Sequence, residues 1–293
     1  MEQFVIYLAL VLVGACFGSF AGATVWRIRA GQLVEDKADN EPYDKAEYRR
    51  LVKLSTSSTL SDRSCCLDCG YRLRWYDLIP IISWLTLRGK CRSCKKRIGW
   101  FELLIELGVA AFFVLSYAFW PISLDGVLPI IQFVLWLASG VAMAISFAYD
   151  TRWLLLPSIY TLLIAIFGVG ITAISALTSG DVIGTIMQTL GSVAILGGLY
   201  WVLYAISNER WVGRGDAELG LALGLLLGSW ELSLLALFLA NLIGCLIVIP
   251  GLATKKLSRT SHVPFGPLLI AGAVLAWIFG RIILDGYYSL IGF

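Results

Sequence analysis

Apolar runs of about 20 residues recur along this chain, and they constrain its fold more than any other feature. A helix needs about 20 apolar residues to cross the ~30 Å hydrocarbon core of a bilayer, and backbone groups inside lipid must pair internally. We therefore predict an all-α polytopic membrane protein with about eight transmembrane helices, although the short sixth run leaves a seven-helix reading open. The runs fall at 4–26, 101–120, 127–149, 157–178, 183–206, 217–229, 231–252 and 265–284.

The composition agrees with this class. Of the 293 residues, 58% are hydrophobic and 15% are charged, whereas soluble proteins carry about 25% charged residues. A soluble enzyme and a disordered chain are therefore excluded, and a net charge of +3 is too small to indicate nucleic-acid binding. The first run, Phe4 to Trp26, is long enough to span a bilayer and lacks a basic leader, so it is not expected to be a detachable signal peptide.

Lysine and arginine are distributed very unevenly between the predicted loops. Residues 27–100 hold 16 of the 23 basic residues, and six more lie in the loops near Arg152, Arg210 and Lys255. Only Arg281 falls towards the opposite face. Because cytoplasmic loops are enriched in Lys and Arg, we predict that residues 27–100 face the cytoplasm and that both termini face away from it.

The chain is accordingly predicted to consist of three parts. These are a first transmembrane helix over residues 1–26, a cytoplasmic loop domain over residues 27–100, and a seven-helix block over residues 101–293. Within the loop domain, residues 31–63 are polar, charged and rich in Ser and Thr. This composition predicts a mobile insertion, with a short helix over Pro42–Leu54 as the alternative.

Four cysteines in the loop domain form two C-x2-C pairs. Cys66 and Cys69 are separated from Cys91 and Cys94 by 21 residues. Reducing conditions in the cytoplasm argue against disulfides, and two such pairs can offer four thiolates tetrahedrally to Zn²⁺. The alternative is four reduced thiols without a metal. A zinc ion with four protein ligands would be structural, because a catalytic zinc keeps an open position.

Two aspartates at the predicted cytoplasmic ends of spans are candidates for catalysis. Asp150 ends the third span, and Asp216 follows Gly213-Arg214-Gly215 just before the short sixth span. The predicted topology places both at the same depth on the same face. Paired carboxylates cannot both ionise cheaply, so one stays protonated while the other activates water, as in aspartic proteases. The alternatives are that Asp216 caps a helix and that Asp150 pairs with Arg152.

Several other kinds of site are excluded by the sequence. A single histidine rules out metalloprotease sites and triads that need more than one. No G-x-x-x-x-G-K-[ST] phosphate loop is present in the sequence, so a P-loop ATPase is excluded. The eleven Trp and twelve Tyr are typical of aromatic belts at membrane interfaces.

Taken together, these motifs resemble the type IV prepilin peptidases of bacterial type IV pilus and type II secretion systems. The resemblance covers nearly the whole chain, and its most specific part is the cysteine-bearing loop. The similar segments are Phe17–Phe20 with Arg27, Cys66–Ile98, Asp150 with Pro157, Gly213–Asp216, and Pro264–Pro267. Gly22, Glu102 and Glu218 stand where the family usually carries other residues.

The resemblance implies a specific activity and location. Family members cleave the short basic leader from prepilins and pseudopilins after a glycine, and many methylate the new amino terminus with S-adenosylmethionine. The protein is then expected in the bacterial cytoplasmic (inner) membrane as a multi-pass protein, with the cysteine loop and the active site on the cytoplasmic side. Its implied partners are prepilin and pseudopilin substrates and membrane lipid, with no nucleic acid.

Roles for individual residues follow from the same resemblance. Carried over by position, Asp150 and Asp216 form the catalytic pair, and Gly89 with Lys90 match positions tied to methylation. The structural Zn²⁺ is expected on the four cysteines Cys66, Cys69, Cys91 and Cys94. Two other functions stay open. One is a peptidase without methyltransferase activity, and the other is a non-enzymatic membrane scaffold whose zinc loop docks partners in pilus or type II secretion assembly.

Overall fold

The computed structural model of the chain describes residues 1–55, 64–255, 258 and 263–291. Across these residues the regular secondary structure is helical, apart from two isolated β-bridges. The predicted all-α class is thereby confirmed. The single histidine, His262, lies outside the described residues. Two compact units are distinguished, one over Met1–Val114 and the other over Leu115–Phe293.

The first unit contains two long helices, Glu2–Ala38 and Phe101–Ala118, and the four-cysteine segment lies between them in the sequence. A glycine at residue 18 allows these two helices to approach closely, because an added Cβ there would lie 2.5 Å from the Cα of Glu106. Small residues permit such contact between membrane helices. The helices are α1 (Glu2–Ala38), α2 (Lys45–Ser55), α3 (Ile82–Thr86) and α4 (Phe101–Ala118), with a 3₁₀ turn at Trp75–Asp77.

The part of residues 31–63 that the structure describes is largely helical, as in the alternative to a mobile insertion. Helix α1 continues through Ala38, and α2 agrees with the short helix expected over Pro42–Leu54. The two helices are joined by the ion pair between Arg29 and Glu47 at 2.7 Å. A small apolar cluster of Ala30, Leu33 and Leu51 adds to this contact. Residues 56–63 of the expected insertion lie outside the described residues.

The second unit is a bundle of further helices. A π-helical segment at Ala194–Gly198 joins the helices Val182–Val193 and Leu199–Ser207 into one continuous helix. The helices are α5 (Val127–Trp153), α6 (Ser158–Ser179), α7 (Val182–Val193), α8 (Leu199–Ser207), α9 (Arg214–Leu227), α10 (Trp230–Ala253) and α11 (Phe265–Ile291).

Seven helical segments of the described chain are long and apolar enough to cross a membrane, so the chain is a multi-pass membrane protein. The remaining predicted span is α9, whose 14 residues rise only about 21 Å, less than the ~30 Å hydrocarbon core. The seven segments are Glu2–Ala38, Phe101–Ala118, Val127–Trp153, Ser158–Ser179, Val182–Ser207, Trp230–Ala253 and Phe265–Leu290.

The short helix α9 is buried among its neighbours. It packs on α6, α7 and the π-helical segment. An added Cβ on Gly168 of α6 would lie 2.8 Å from the backbone of Leu225, and one on Gly224 would lie 2.9 Å from the Cα of Val193. These glycines let the backbones approach closely, and the approach holds the carboxyl-terminal part of α9 against α6 and α7.

Candidate active site and metal centre

The two predicted catalytic aspartates both lie in the second unit. Asp150 lies on α5, one turn before the helix ends at the left-handed residue Leu154 (φ 57°). Asp216 is the third residue of α9, which begins after the extended residue Gly213. The carboxylates of Asp150 and Asp216 are close enough to interact electrostatically. The structure therefore brings together two residues that are widely separated in sequence.

The Asp150 carboxylate is enclosed by protein. The residue is 5% exposed, and its carboxylate interacts with the backbone amide of Gly266. Among the described residues, no hydrogen-bond partner reaches its buried Oδ2 atom. A buried polar atom without a partner is uncommon and is often found where a protein binds a ligand or acts on one.

Leu156 packs between the glycines of two motifs. An added Cβ on Gly215 would lie 3.1 Å from the Leu156 Cβ, and one on Gly266 would lie 3.2 Å from its Cδ2. The same added Cβ on Gly266 would lie 2.7 Å from Asp150 Oδ2. The two glycines therefore leave room for Leu156, and Gly266 also leaves room for the Asp150 carboxylate.

This arrangement is suited to acid–base chemistry on water. Two interacting carboxylates in a poorly solvated site favour the state that carries a single negative charge. One carboxylate can then accept a proton from water while the other donates one to the leaving group. The alternative in which Asp150 pairs with Arg152 stays open.

Tyr200 is a residue of this site that the sequence analysis missed. It lies on α8, is 4% exposed, and interacts electrostatically with Asp216. Its ring packs on Phe265, the neighbour of Gly266, with 5.3 Å between centroids. The composition predicts tyrosines at membrane interfaces, and no motif around Tyr200 distinguishes it from the others.

The four predicted metal ligands cluster in the first unit. The Sγ atoms of Cys66, Cys69, Cys91 and Cys94 lie within 4.8 Å of one another. The Cys66–Cys94 Sγ distance is 3.9 Å and the Cys69–Cys91 distance is 4.0 Å. Zinc–sulfur bonds of about 2.3 Å in a tetrahedron require sulfurs about 3.8 Å apart. The cluster could therefore bind a metal ion, and its spacing fits zinc.

The two cysteine pairs have the same backbone structure, which the sequence analysis did not recognise as a repeat. In the first, Cys66 N–H donates to Tyr71 O, and Gly70 N–H donates to Cys66 O. In the second, Cys91 N–H donates to Lys96 O, and Lys95 N–H donates to Cys91 O. Gly70 and Lys95 both have positive φ, of 70° and 59°. Each pair therefore forms one knuckle, and the two knuckles present their thiols to one point.

The environment of the thiols differs between the knuckles. Burial raises the pKa of the Cys66 thiol to about 12. Burial acts in the same direction on Cys91, but hydrogen bonds from the backbone amides of Cys94 and Ser93 and from the thiols of Cys66 and Cys94 together outweigh it and lower the pKa of Cys91 to about 7. A bound cation favours the thiolate form of each ligand.

Gly89 and Lys90 immediately precede the second knuckle. Gly89 has a φ of 63°, and an added Cβ would lie 2.7 Å from the indole ring of Trp84. Both the backbone conformation and the ring contact therefore require glycine at this position. The Lys90 side chain is exposed, and its backbone forms a β-bridge with Arg97.

Family models and related proteins together match most of the chain. Residues 12–120 match the family model described as the bacterial peptidase A24 N-terminal domain, and residues 135–249 match that of the type IV leader peptidase family. The prepilin leader peptidase/N-methyltransferase of Pseudomonas aeruginosa is 26% identical over 98% of this chain and 94% of its own length. The protein of the same name from Bacillus subtilis is 30% identical over 80% of this chain and 88% of its own length. No solved structure matches.

Proposed function

We propose that this chain, which belongs to the type IV leader peptidase family, is a prepilin peptidase that also methylates its product. It cleaves the basic leader of type IV prepilins and pseudopilins after a glycine and transfers a methyl group to the new amino terminus. The observation that carries this proposal is the electrostatic interaction between the carboxylates of Asp150 and Asp216, the first of which also interacts with the backbone amide of Gly266.

Asp150 and Asp216 act as the catalytic pair in this proposal. One carboxylate removes a proton from the attacking water. The other protonates the amine that leaves when the peptide bond of the substrate breaks. Burial of Asp150 supports this division, because an enclosed site strengthens electrostatic interactions with the reacting groups. Tyr200 interacts electrostatically with Asp216 and is the third polar residue that we assign to the site.

The substrate is held by two kinds of interaction. Its apolar stem stays in lipid beside the helices of the second unit, and its basic leader lies on the cytoplasmic side with the active site. This sidedness is supported by the sequence, since the loop over residues 27–100, between the first two spans, holds 16 of the 23 Lys and Arg residues. A basic leader is attracted to acidic groups near the site.

We assign a structural Zn²⁺ to Cys66, Cys69, Cys91 and Cys94. The sulfur spacing near the tetrahedral value supports this assignment. The ion would join the two knuckles and would contribute folding free energy to this segment. Because all four positions are filled by protein ligands, no step of peptide cleavage passes through the metal.

Methyl transfer requires a donor, which we propose is S-adenosylmethionine. The methyltransferase names of the relatives support this activity, and Gly89 and Lys90 are the residues that we associate with it. Lys90→Ala is expected to reduce methylation while cleavage continues, because the Lys90 side chain is exposed and belongs to the first unit, whereas both aspartates belong to the second. Loss of both activities together would contradict separate sites.

Mass spectrometry of a co-expressed prepilin tests the proposal directly. The unaltered chain should remove a leader-length mass and add one methyl group, and Asp216→Asn should do neither. Mass loss without the methyl group would select a peptidase without methyltransferase activity. An intact prepilin in every member of a panel with different leaders would favour the non-enzymatic scaffold.

A further inference from the structure

An exposed apolar segment lies between the two cysteine knuckles. Residues 78–85 read Leu-Ile-Pro-Ile-Ile-Ser-Trp-Leu, with Ser83 as the single polar member. The side chains of Leu78, Ile82 and Leu85 are 42%, 56% and 58% exposed. Exposed apolar surface of this kind commonly marks an interaction site.

Hydrogen bonds show how far along the two long helices of the first unit, α1 and α4, this segment lies. The Ile81 N–H donates to Glu106 Oε2 at 2.7 Å, and the Ser19 side chain hydrogen-bonds the same carboxylate. Glu106 lies about 7.5 Å along α4 from its start at Phe101, at 1.5 Å per residue. Ser19 likewise lies about 10 Å before Trp26, where the apolar run of α1 ends. The Ile81 backbone is therefore level with the apolar parts of both helices.

Positive charge surrounds the same segment. Residues 64–100 contain eight basic and two acidic residues, a difference of six positive charges. Both acids are already engaged, Asp77 with Arg92 at 2.7 Å and Asp68 with Arg50 and Lys96 at 3.4 and 3.5 Å. All eight basic side chains are exposed: Arg72, Arg74, Arg88, Lys90, Arg92, Lys95, Lys96 and Arg97.

We propose that residues 78–85 insert into the bilayer leaflet nearest the four-cysteine cluster and anchor that cluster at the membrane surface. Ile82 and Leu85 lie among the acyl chains, and the surrounding basic side chains contact anionic phospholipid headgroups. Trp75 and Trp100, which are 77% and 65% exposed, lie at the boundary between chains and headgroups, a position that Trp favours. The occupant of the apolar face is thus the lipid bilayer. This anchor is independent of the proposed enzymatic activity.

Photo-crosslinking of the full chain tests the anchor. The chain is reconstituted in nanodiscs of phosphatidylcholine and phosphatidylglycerol, with p-benzoyl-phenylalanine replacing Ile82 in one variant and Leu85 in another. The matched control replaces Arg49, an exposed residue of α2. Helix α2 packs against α1 beyond Trp26 through the Arg29–Glu47 ion pair, so position 49 is expected to lie in water.

Mass spectrometry after illumination gives the result. We expect phospholipid adducts at positions 82 and 85 at least tenfold above position 49, with phosphatidylglycerol enriched over its share of the nanodisc. Adducts to a second copy of the chain, adducts within the chain, or no adduct at both positions would overturn the anchor. Phosphatidylglycerol at only its nanodisc share would overturn the headgroup contact. Two separate positions keep the test valid if one variant fails to fold.

Discussion

Gly266 lies directly against the carboxylate of Asp150. An added Cβ on Gly266 would lie 2.7 Å from Asp150 Oδ2, and the Gly266 backbone amide interacts with the same carboxylate. The contact joins the Pro264–Pro267 segment at the start of α11 to the first aspartate at the end of α5. Glycine is required here by the close approach of the carboxylate and of Leu156.

Gly266→Ala is therefore expected to impair cleavage. The added methyl group would displace the Asp150 carboxylate or Leu156, and catalysis depends on the position of reacting groups. We expect the cleavage rate of a co-expressed or purified prepilin to fall at least tenfold, which corresponds to about 1.4 kcal/mol in the barrier.

Gly286→Ala on the same helix is the matched control, because no atom lies within 4 Å of an added Cβ there. It should cleave at the rate of the unaltered chain. Equal rates for Gly266→Ala and Gly286→Ala would show that Asp150 does not depend on close contact with residue 266.

The sequence motifs identify the chemical groups of this site well. The G-x-G-D segment, the aspartate of the third span and the Pro264–Pro267 segment each appear as short patterns, and the structure places them together. Charge distribution and apolar run length also identify the helices, because both depend on local composition. The four cysteines are found by their spacing alone.

The parts that sequence could not supply depend on packing between distant helices. Tyr200 lies in an ordinary apolar run, and only its contact with Phe265 and Asp216 brings it to the site. The burial of α9 depends on close approach at Gly168 and Gly224. The pattern of apolar residues in a sequence does not show which helices are neighbours. The helix α2 was only an alternative, because its stability comes from packing on α1 rather than from its polar sequence.

Asp150→Asn and Asp216→Asn are expected to abolish cleavage while the chain stays folded. Each change removes one of the two groups to which we assign the proton transfers, and such groups contribute about 10²–10⁴-fold to rates. Asp150→Asn should not lower the thermal stability, since it removes a buried charge whose Oδ2 has no hydrogen-bond partner among the described residues.

The matched control for the aspartates is Asp285→Asn, an exposed acid on α11. Cleavage rates of prepilin in detergent or proteoliposomes, together with thermal unfolding of each variant, provide the measurement. Cleavage retained by both Asp150→Asn and Asp216→Asn would remove the pair from the mechanism.

Gly168→Ala should destabilise the second unit. The added Cβ would lie 2.8 Å from the backbone of Leu225, and backbone cannot move aside as a flexible side chain can. Overpacking of this kind costs about 1–3 kcal/mol, so the thermal midpoint should fall and the position of Asp216 on α9 should shift. Gly198→Ala, where nothing lies within 4 Å of the added Cβ, is the control. A midpoint for Gly168→Ala equal to that of Gly198→Ala would contradict the close packing of α6 on α9.

Cys91→Ser should remove the metal ion from the cysteine cluster. Cys91 is 2% exposed, and its sulfur lies 4.0 Å from that of Cys69, so a serine hydroxyl there would leave three thiolates and a much weaker ligand. Elemental analysis of the purified chain should find about one zinc ion per unaltered molecule and less than about half in Cys91→Ser. Cys65→Ser is the matched control, because Cys65 is adjacent to a ligand yet outside the four-sulfur cluster. Equal zinc in Cys91→Ser and Cys65→Ser, or none in the unaltered chain, would contradict a zinc site on these cysteines.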